Sequence, residues 1–168
     1  ETEWDWDRID TQDIHFPKSF AWGTATAAHQ FEGNNTNNNW YQWENEVDED
    51  NLPRIHNGDK SSIAADHWKR YPDDIKLMNE LGVNHYRFSI EWSRIEPERG
   101  VFNLDAINHY RDLCDSLLKN NITPVVTLHH FTHPIWFEEL GAFEKQENIK
   151  YFIKYSEYAF NNLQDLVP

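Results

Sequence analysis

Three apolar, β-rich segments alternating with three amphipathic helical segments predict an α/β fold in 168 residues. The strand segments are "FAWGTATAAH" (20–29), "VNHYRFSIEW" (83–92) and "NNITPVVTLHH" (120–130). Strict alternation of such strands with helices implies parallel pairing through right-handed crossovers. A doubly wound nucleotide-binding sheet would carry a G-x-G-x-x-G turn after its first strand, but "AAHQFEG" stands there and no P-loop occurs. The pattern therefore favours a piece of a (β/α)8 barrel. Residues 1–168 are expected to belong to a single barrel domain, with no separate second domain.

The elements follow in order. The first strand segment is small, apolar and Thr-rich between Pro17 and Gly33. A long polar stretch (32–62) comes next, and a connection of that size in a compact chain is usually functional or disordered. Ala64, Trp68, Tyr71, Ile75 and Met78 then recur at spacings of four and three, a helix stopped at Gly82 in a left-handed cap. In the second strand, alternation puts Tyr86, Phe88 and Ile90 on one face and Arg87, Ser89 and Glu91 on the other. Ile107, Tyr110, Cys114 and Leu117 define the second helix. The third runs from about Gln146 to Leu163, with Ile149, Phe152, Ser156, Ala159 and Leu163 on one face.

In a barrel of this kind, polar residues at the C-terminal ends of the strands are the active-site candidates. Here they are His29, Gln30 and Glu32 after the first strand, Arg87, Glu91 and Trp92 on the second, and His129, His130 and Phe131 after the third. Arg87 points into the barrel interior, where an unpaired charge is very costly, so it needs a carboxylate. A buried ion pair with Glu91 or Glu32 and a role at a catalytic carboxylate weigh equally. Gln30 offers one acceptor and two donors, suited to adjacent sugar hydroxyls, although a lone glutamine more often satisfies a turn. His130 likewise suits a hydroxyl, although a lone histidine at an apolar strand end is more often a structural residue. A zinc site at His129, His130 and His133 is disfavoured, because adjacent strand residues point to opposite sides and Pro134 opposes the helix that His129 and His133 would need.

Composition narrows the partners. With 29 acidic against 15 basic residues the formal charge is −14, and no basic run offers a phosphate footprint, so nucleic acid and anionic membranes are not expected. The acidic stretch "ENEVDED" (44–50) reads as solvated surface. Eight Trp among 15% aromatics leave some for a binding surface. The lone Cys114 excludes an internal disulfide and reads as a buried helix position, and no apolar run approaches a spanning helix. No charged-then-apolar leader opens the chain, which begins at Glu1. Nothing requires an oxidising compartment; a cytoplasmic location is slightly favoured over secretion, for which sequons at Asn34 and Asn121 would then matter.

Three stretches carry a family resemblance. "FPKSFAWGTATAAHQFEG" resembles the N-terminal signature of glycoside hydrolase family 1, the β-glucosidases and their relatives; "GDKSSIAADHWKRYPDDIKLMNELGVNHYRFSIEWSRIEPERG" resembles its first helix and second strand, and "TLHHFTHPIW" its third strand end. The resemblance runs from about Phe16 to the end and implies a (β/α)8 barrel, of which residues 1–168 would be the N-terminal portion, strands 1–3 and helices 1–3, that hydrolyses β-glucosides or related O-glycosides with retention, without a cofactor or metal. It implies that Gln30 and His130 hydrogen-bond hydroxyls of the terminal sugar and that Arg87 supports the nucleophilic carboxylate. Phe131 stands where many members have Trp, a change that removes an indole donor and bears on sugar preference.

The family's T-x-N-E-P and T-E-N-G motifs, which bring the acid/base and nucleophilic glutamates, do not occur in these residues. Neither Glu32, Glu91 nor Glu96 matches a catalytic position. The chain alone is expected to be inactive, to keep an open sheet edge, and to need the remainder of the barrel as its partner. The alternative is a catalytically inactive carbohydrate-binding or regulatory barrel.

Overall fold

The computed structural model describes residues 15–168; the reading of the N-terminus as lacking a leader concerns residues outside that span. Three strands, β1 (Gly23–Ala25), β2 (His85–Ser89) and β3 (Thr123–Thr127), pair in parallel in the order β1-β2-β3. The register aligns Ala25 with Arg87 and Arg87 with Val125. Residues side by side in a parallel sheet share a face, so Val125 and Arg87 point the same way.

Among the described residues, helices cover only one face of this sheet. Helix α3 (His67–Leu81) follows a long excursion that includes the short helices α1 (Ala28–Phe31) and α2 (Asn39–Glu44). Helix α4 (Trp92–Ile95) and the longer α5 (Leu104–Lys119) follow β2; α6 (Ile135–Glu139) and α7 (Ile149–Leu163) follow β3. Tyr86, Phe88 and Ile90 pack against Ile75, Met78, Ile107, Tyr110, Cys114 and Leu117, so the row of the second strand opposite Arg87 and that of the second helix form one core. On the other face Val125 is 42% exposed. That is the inner surface of a barrel in section.

Local chemistry sets the boundaries. Gly82, with φ +72, ends α3, and the Val83 amide returns to the Met78 carbonyl at 3.3 Å. Asn103 caps α5 by accepting from the amides of Asp105 and Ala106. Tyr155 of α7 stacks on Trp92 and donates to the Leu128 carbonyl at 2.9 Å, which ties the third helix to the end of the third strand.

Four details differ from the sequence-based expectation. The first strand is short, because the chain leaves the sheet after Ala25 and starts α1, whose Ala28 amide donates to Ser89 Oγ at 2.7 Å. Ala64 is not on α3 but in a left-handed turn before it, at φ +49. On α7 the expected Ala159 and Leu163 are buried and Phe152 packs against the core, but Tyr155 joins this row, and Ile149, the first residue of the helix after a 3₁₀ turn at residues 146–148, is exposed. Glu44 is not solvated surface: it is buried and accepts from the amide and hydroxyl of Ser61, closing the excursion on itself.

Candidate active site

The C-terminal ends of the three strands lie side by side, and predicted site residues stand on or just after each strand. Gln30, on α1, is exposed. His130 and Phe131 follow β3 in the loop that leads to α6. Arg87 lies within β2 on the open face, half-buried, with Nη1 at 3.4 Å from the Thr26 carbonyl. The structure thus gathers Gln30, Arg87, His130 and Phe131 on one rim of one sheet.

Arg87 pairs with no carboxylate among the described residues. The two glutamates weighed as its partners are engaged elsewhere. Glu32 accepts from Arg94 Nε at 2.9 Å, from Tyr110 Oη at 2.6 Å and from Asn35 Nδ2 at 3.2 Å. Glu91 accepts from Ser93 Oγ at 2.7 Å and Thr132 Oγ1 at 2.9 Å. Neither Glu91 nor Trp92 faces the rim; both are at or below 1% exposure, because the chain turns into α4 as soon as β2 ends. Burial pushes the Glu32 carboxyl up to about 7 despite the opposing pull of Arg94 and the Tyr110 hydrogen bond.

Phe131 is the most unusual residue on the rim. Its φ is +67, and the Thr132 amide donates to the His130 carbonyl at 2.9 Å. A positive φ under a hydrogen bond that spans one residue is the strained form of the γ-turn, rare for a bulky side chain. Such strain persists where surrounding structure over-determines it, and it clusters at functional sites. The ring is 63% exposed and stacks on Trp40 of α2, centroids 5.5 Å apart. His130 meets it edge-on at 5.0 Å.

The excursion after β1 and the loop after β3 meet directly, over the end of β2. Asn38 and Pro134 form an antiparallel bridge; the Asn39 amide donates to the His133 carbonyl at 3.1 Å, and the His133 amide donates to Asn39 Oδ1 at 3.0 Å. His29 is buried beneath: Asn38 Nδ2 donates to its Nδ1 at 3.0 Å, which leaves the proton on Nε2, 3.8 Å from Glu44. Beside Gln30 a cleft of about 920 Å³ opens, lined by His29, Trp40, Trp43, Glu44 and Ile55.

The other histidines of "TLHHFTHPIW" serve packing. His129 and His133 stack with planes 13° apart, and Phe143 meets both edge-on. Burial, then the neighbouring His133 and His130, hold His129 down to about 4, so its ring is neutral at pH 7. His133 Nε2 lies 2.5 Å from Glu138. Among the described residues no three His, Cys, Asp or Glu side chains converge as metal ligands.

Reading the sequence alone missed Trp40, Thr132 and the Glu32–Arg94–Tyr110 cluster. Trp40 had a signal, as an aromatic stranded among asparagines in "NNTNNNWYQW". Thr132 had none, since a threonine in a loop has no pattern of its own.

A parallel three-stranded sheet with helices packed on one face, carrying an amide, a guanidinium, an imidazole and aromatic faces near its C-terminal rim, defines the class of fold as part of a β/α barrel. The sequence profile of Glycosyl hydrolase family 1 matches residues 12–168, and the chain belongs to that family. It is 42% identical over 159 residues to β-glucosidase A of Acetivibrio thermocellus, covering 92% of this chain and 35% of that protein. Among solved structures it resembles a β-glycosidase from Pyrococcus horikoshii (46% identity, TM-score 0.78, 90% of this chain and 34% of that one). It also resembles a family 1 β-glucosidase from Thermotoga maritima (35% identity, TM-score 0.84, 90% and 34%). The chain therefore spans about a third of the length of the relatives it matches.

Proposed function

We propose that this chain is the sugar-gripping part of a retaining β-glycosidase that hydrolyses β-glucosides or related O-glycosides. In this reading residues 1–168 contribute three βα units to a single barrel, and the remaining barrel polypeptide is the partner of the open sheet face. The observation that carries it is the placing of Gln30, Arg87 and His130 at neighbouring strand ends, beside a Phe131 held in a strained turn. Gln30 and His130 hold hydroxyls of the terminal sugar, and Phe131 and Trp40 offer it an aromatic wall. Arg87 holds the nucleophilic carboxylate, which would answer the lack of a carboxylate around it among the described residues.

Retaining hydrolysis needs two carboxyl groups about 5 Å apart, one as nucleophile and one as acid and then base. Neither buried Glu32 nor buried Glu91 is placed for either part, so both come from outside these residues. The complete protein is expected to release nitrophenol from an aryl β-glucoside, and His130→Ala to lower kcat/KM about tenfold, the worth of one well-placed hydrogen bond. An unchanged kcat/KM would remove His130 from the site. No turnover by a complete protein that carries both glutamates would leave a barrel that binds carbohydrate without cutting it.

A further inference from the structure

Glu91 is fully buried, yet its carboxylate is met only by neutral donors. Oε1 accepts from Ser93 Oγ at 2.7 Å and from the Ser93 amide at 3.4 Å; Oε2 accepts from Thr132 Oγ1 at 2.9 Å. Among the described residues no Lys, Arg or His pairs with it. Burying a carboxylate without a counter-charge is costly, and filling space alone would be better done by an apolar side chain. The position of Glu91 is explained by what it holds.

What it holds is the turn on the rim. Thr132 is itself buried, and its amide closes the strained turn at Phe131 by donating to the His130 carbonyl. The hydroxyl of the same residue is fixed by Glu91. Behind Glu91 the network continues: its amide donates to Tyr110 Oη at 2.9 Å, and Tyr110 donates to Glu32 Oε1 at 2.6 Å. Glu32 lies two residues beyond Gln30 and is anchored by Arg94, whose guanidinium also donates to the Gly33 carbonyl at 2.5 Å. An unbroken hydrogen-bonded path therefore runs from the loop of Gln30, through the end of β2, to the loop of His130.

We propose that Glu91 is a positioning residue for sugar recognition: through Thr132 it holds the strained turn that presents His130 and Phe131, and so sets which hydroxyl configuration the site accepts. The proposal rests on the reading of His130 and Gln30 as sugar-binding residues. It places specificity in a side chain that never touches the sugar. Thr132→Val keeps the volume and removes the hydroxyl; Thr132→Ser keeps the hydroxyl. Glu91→Gln keeps the shape and turns an amide NH₂ toward one of the two hydroxyls.

The test uses the complete enzyme and the ratio of kcat/KM for nitrophenyl β-glucoside over nitrophenyl β-galactoside, which does not depend on the fraction of molecules folded. Thr132→Val is expected to change that ratio about fivefold, the equivalent of one lost hydrogen bond, chiefly through KM, and Thr132→Ser to restore it. Glu91→Gln is expected to shift it in the same direction. A role in stability alone would lower Tm and total activity at a constant ratio, and that result overturns the proposal. If Thr132→Val does not fold, the ratio in Glu91→Gln decides alone. His130→Ala in the same assay separates the two ideas. If it leaves kcat/KM unchanged, the sugar-binding reading fails and takes this one with it. If it lowers kcat/KM while neither Thr132→Val nor Glu91→Gln alters the ratio, only the positioning role fails.

Discussion

Trp40 lies nearly parallel to Phe131, with ring planes 17° apart, although one belongs to the excursion after β1 and the other to the loop after β3. The pair forms a wall that neither loop could build alone. Aromatic pairs of this geometry contribute about 0.5–1.5 kcal/mol beyond the area they bury. In the complete enzyme Phe131→Ala and Trp40→Ala should each lower kcat/KM for an aryl glucoside. The double variant should lose less than the sum by about 1 kcal/mol, since either single change already breaks the stack. Strict additivity in the kinetic cycle would mean that the two rings act on substrate independently.

Arg87 should reveal itself in kcat rather than in KM. If it holds the nucleophile, Arg87→Met removes a charge-assisted hydrogen bond and should slow turnover about 10- to 100-fold with little change in KM. Steady-state kinetics on two aryl glucosides measures the split. A loss confined to KM would move Arg87 from the nucleophile to the sugar.

Glu32 makes stability depend on pH in an unusual direction for a carboxylate. Burial raises its folded pKa to about 7, above the 4.5 of an ordinary glutamate, so the folded state keeps a proton that the unfolded state gives up. Stability from this group is full below about 4.5 and is lost as pH rises through about 7, a swing on the order of 3 kcal/mol. Glu32→Gln removes the titration. The Tm of the variant relative to wild type should therefore rise between about pH 5 and about pH 7.5; a constant difference across that window would show that Glu32 does not titrate there.

Cys114 offers a simple probe of the core. It is fully buried on α5, and burial pushes its thiol up to about 12, so almost no thiolate forms at neutral pH. A disulfide reagent should leave it unmodified in the native enzyme and react once denaturant is added. Rapid labelling without denaturant would place this helix outside a stable core.

The isolated chain of 168 residues should not unfold cooperatively. Val125 and Arg87 stand on a sheet face that no helix covers, and β1 and β3 each keep an unpaired edge among the described residues. Calorimetry of residues 1–168 should show no sharp transition, and one should appear when the rest of the barrel is supplied. A sharp transition in the isolated monomer would refute this.

Much of this architecture was legible because it repeats. The parallel order β1-β2-β3, the helix-facing Tyr86 and Phe88, and the row from Ile107 to Leu117 all follow from alternation and helical spacing. The family resemblance was legible too, in three long stretches. What could not be read was contact between residues far apart without periodicity. Arg94, not Arg87, takes Glu32, because α4 turns Arg94 back over Gly33. Glu44 turns inward out of an acidic run because Ser61 waits for it across the excursion. The start of α7 at Ile149 rather than near Gln146 is equally unmarked, because the 3₁₀ turn at residues 146–148 leaves no trace in hydropathy.

The bridge between Asn38 and Pro134 has an evolutionary consequence. Two loops that share backbone hydrogen bonds across a strand cannot be exchanged one at a time, because each supplies the donors and acceptors that the other lacks. In this protein, then, the excursion after the first strand and the loop after the third form a single structural unit. A chimera that borrows one from a relative should also borrow the other.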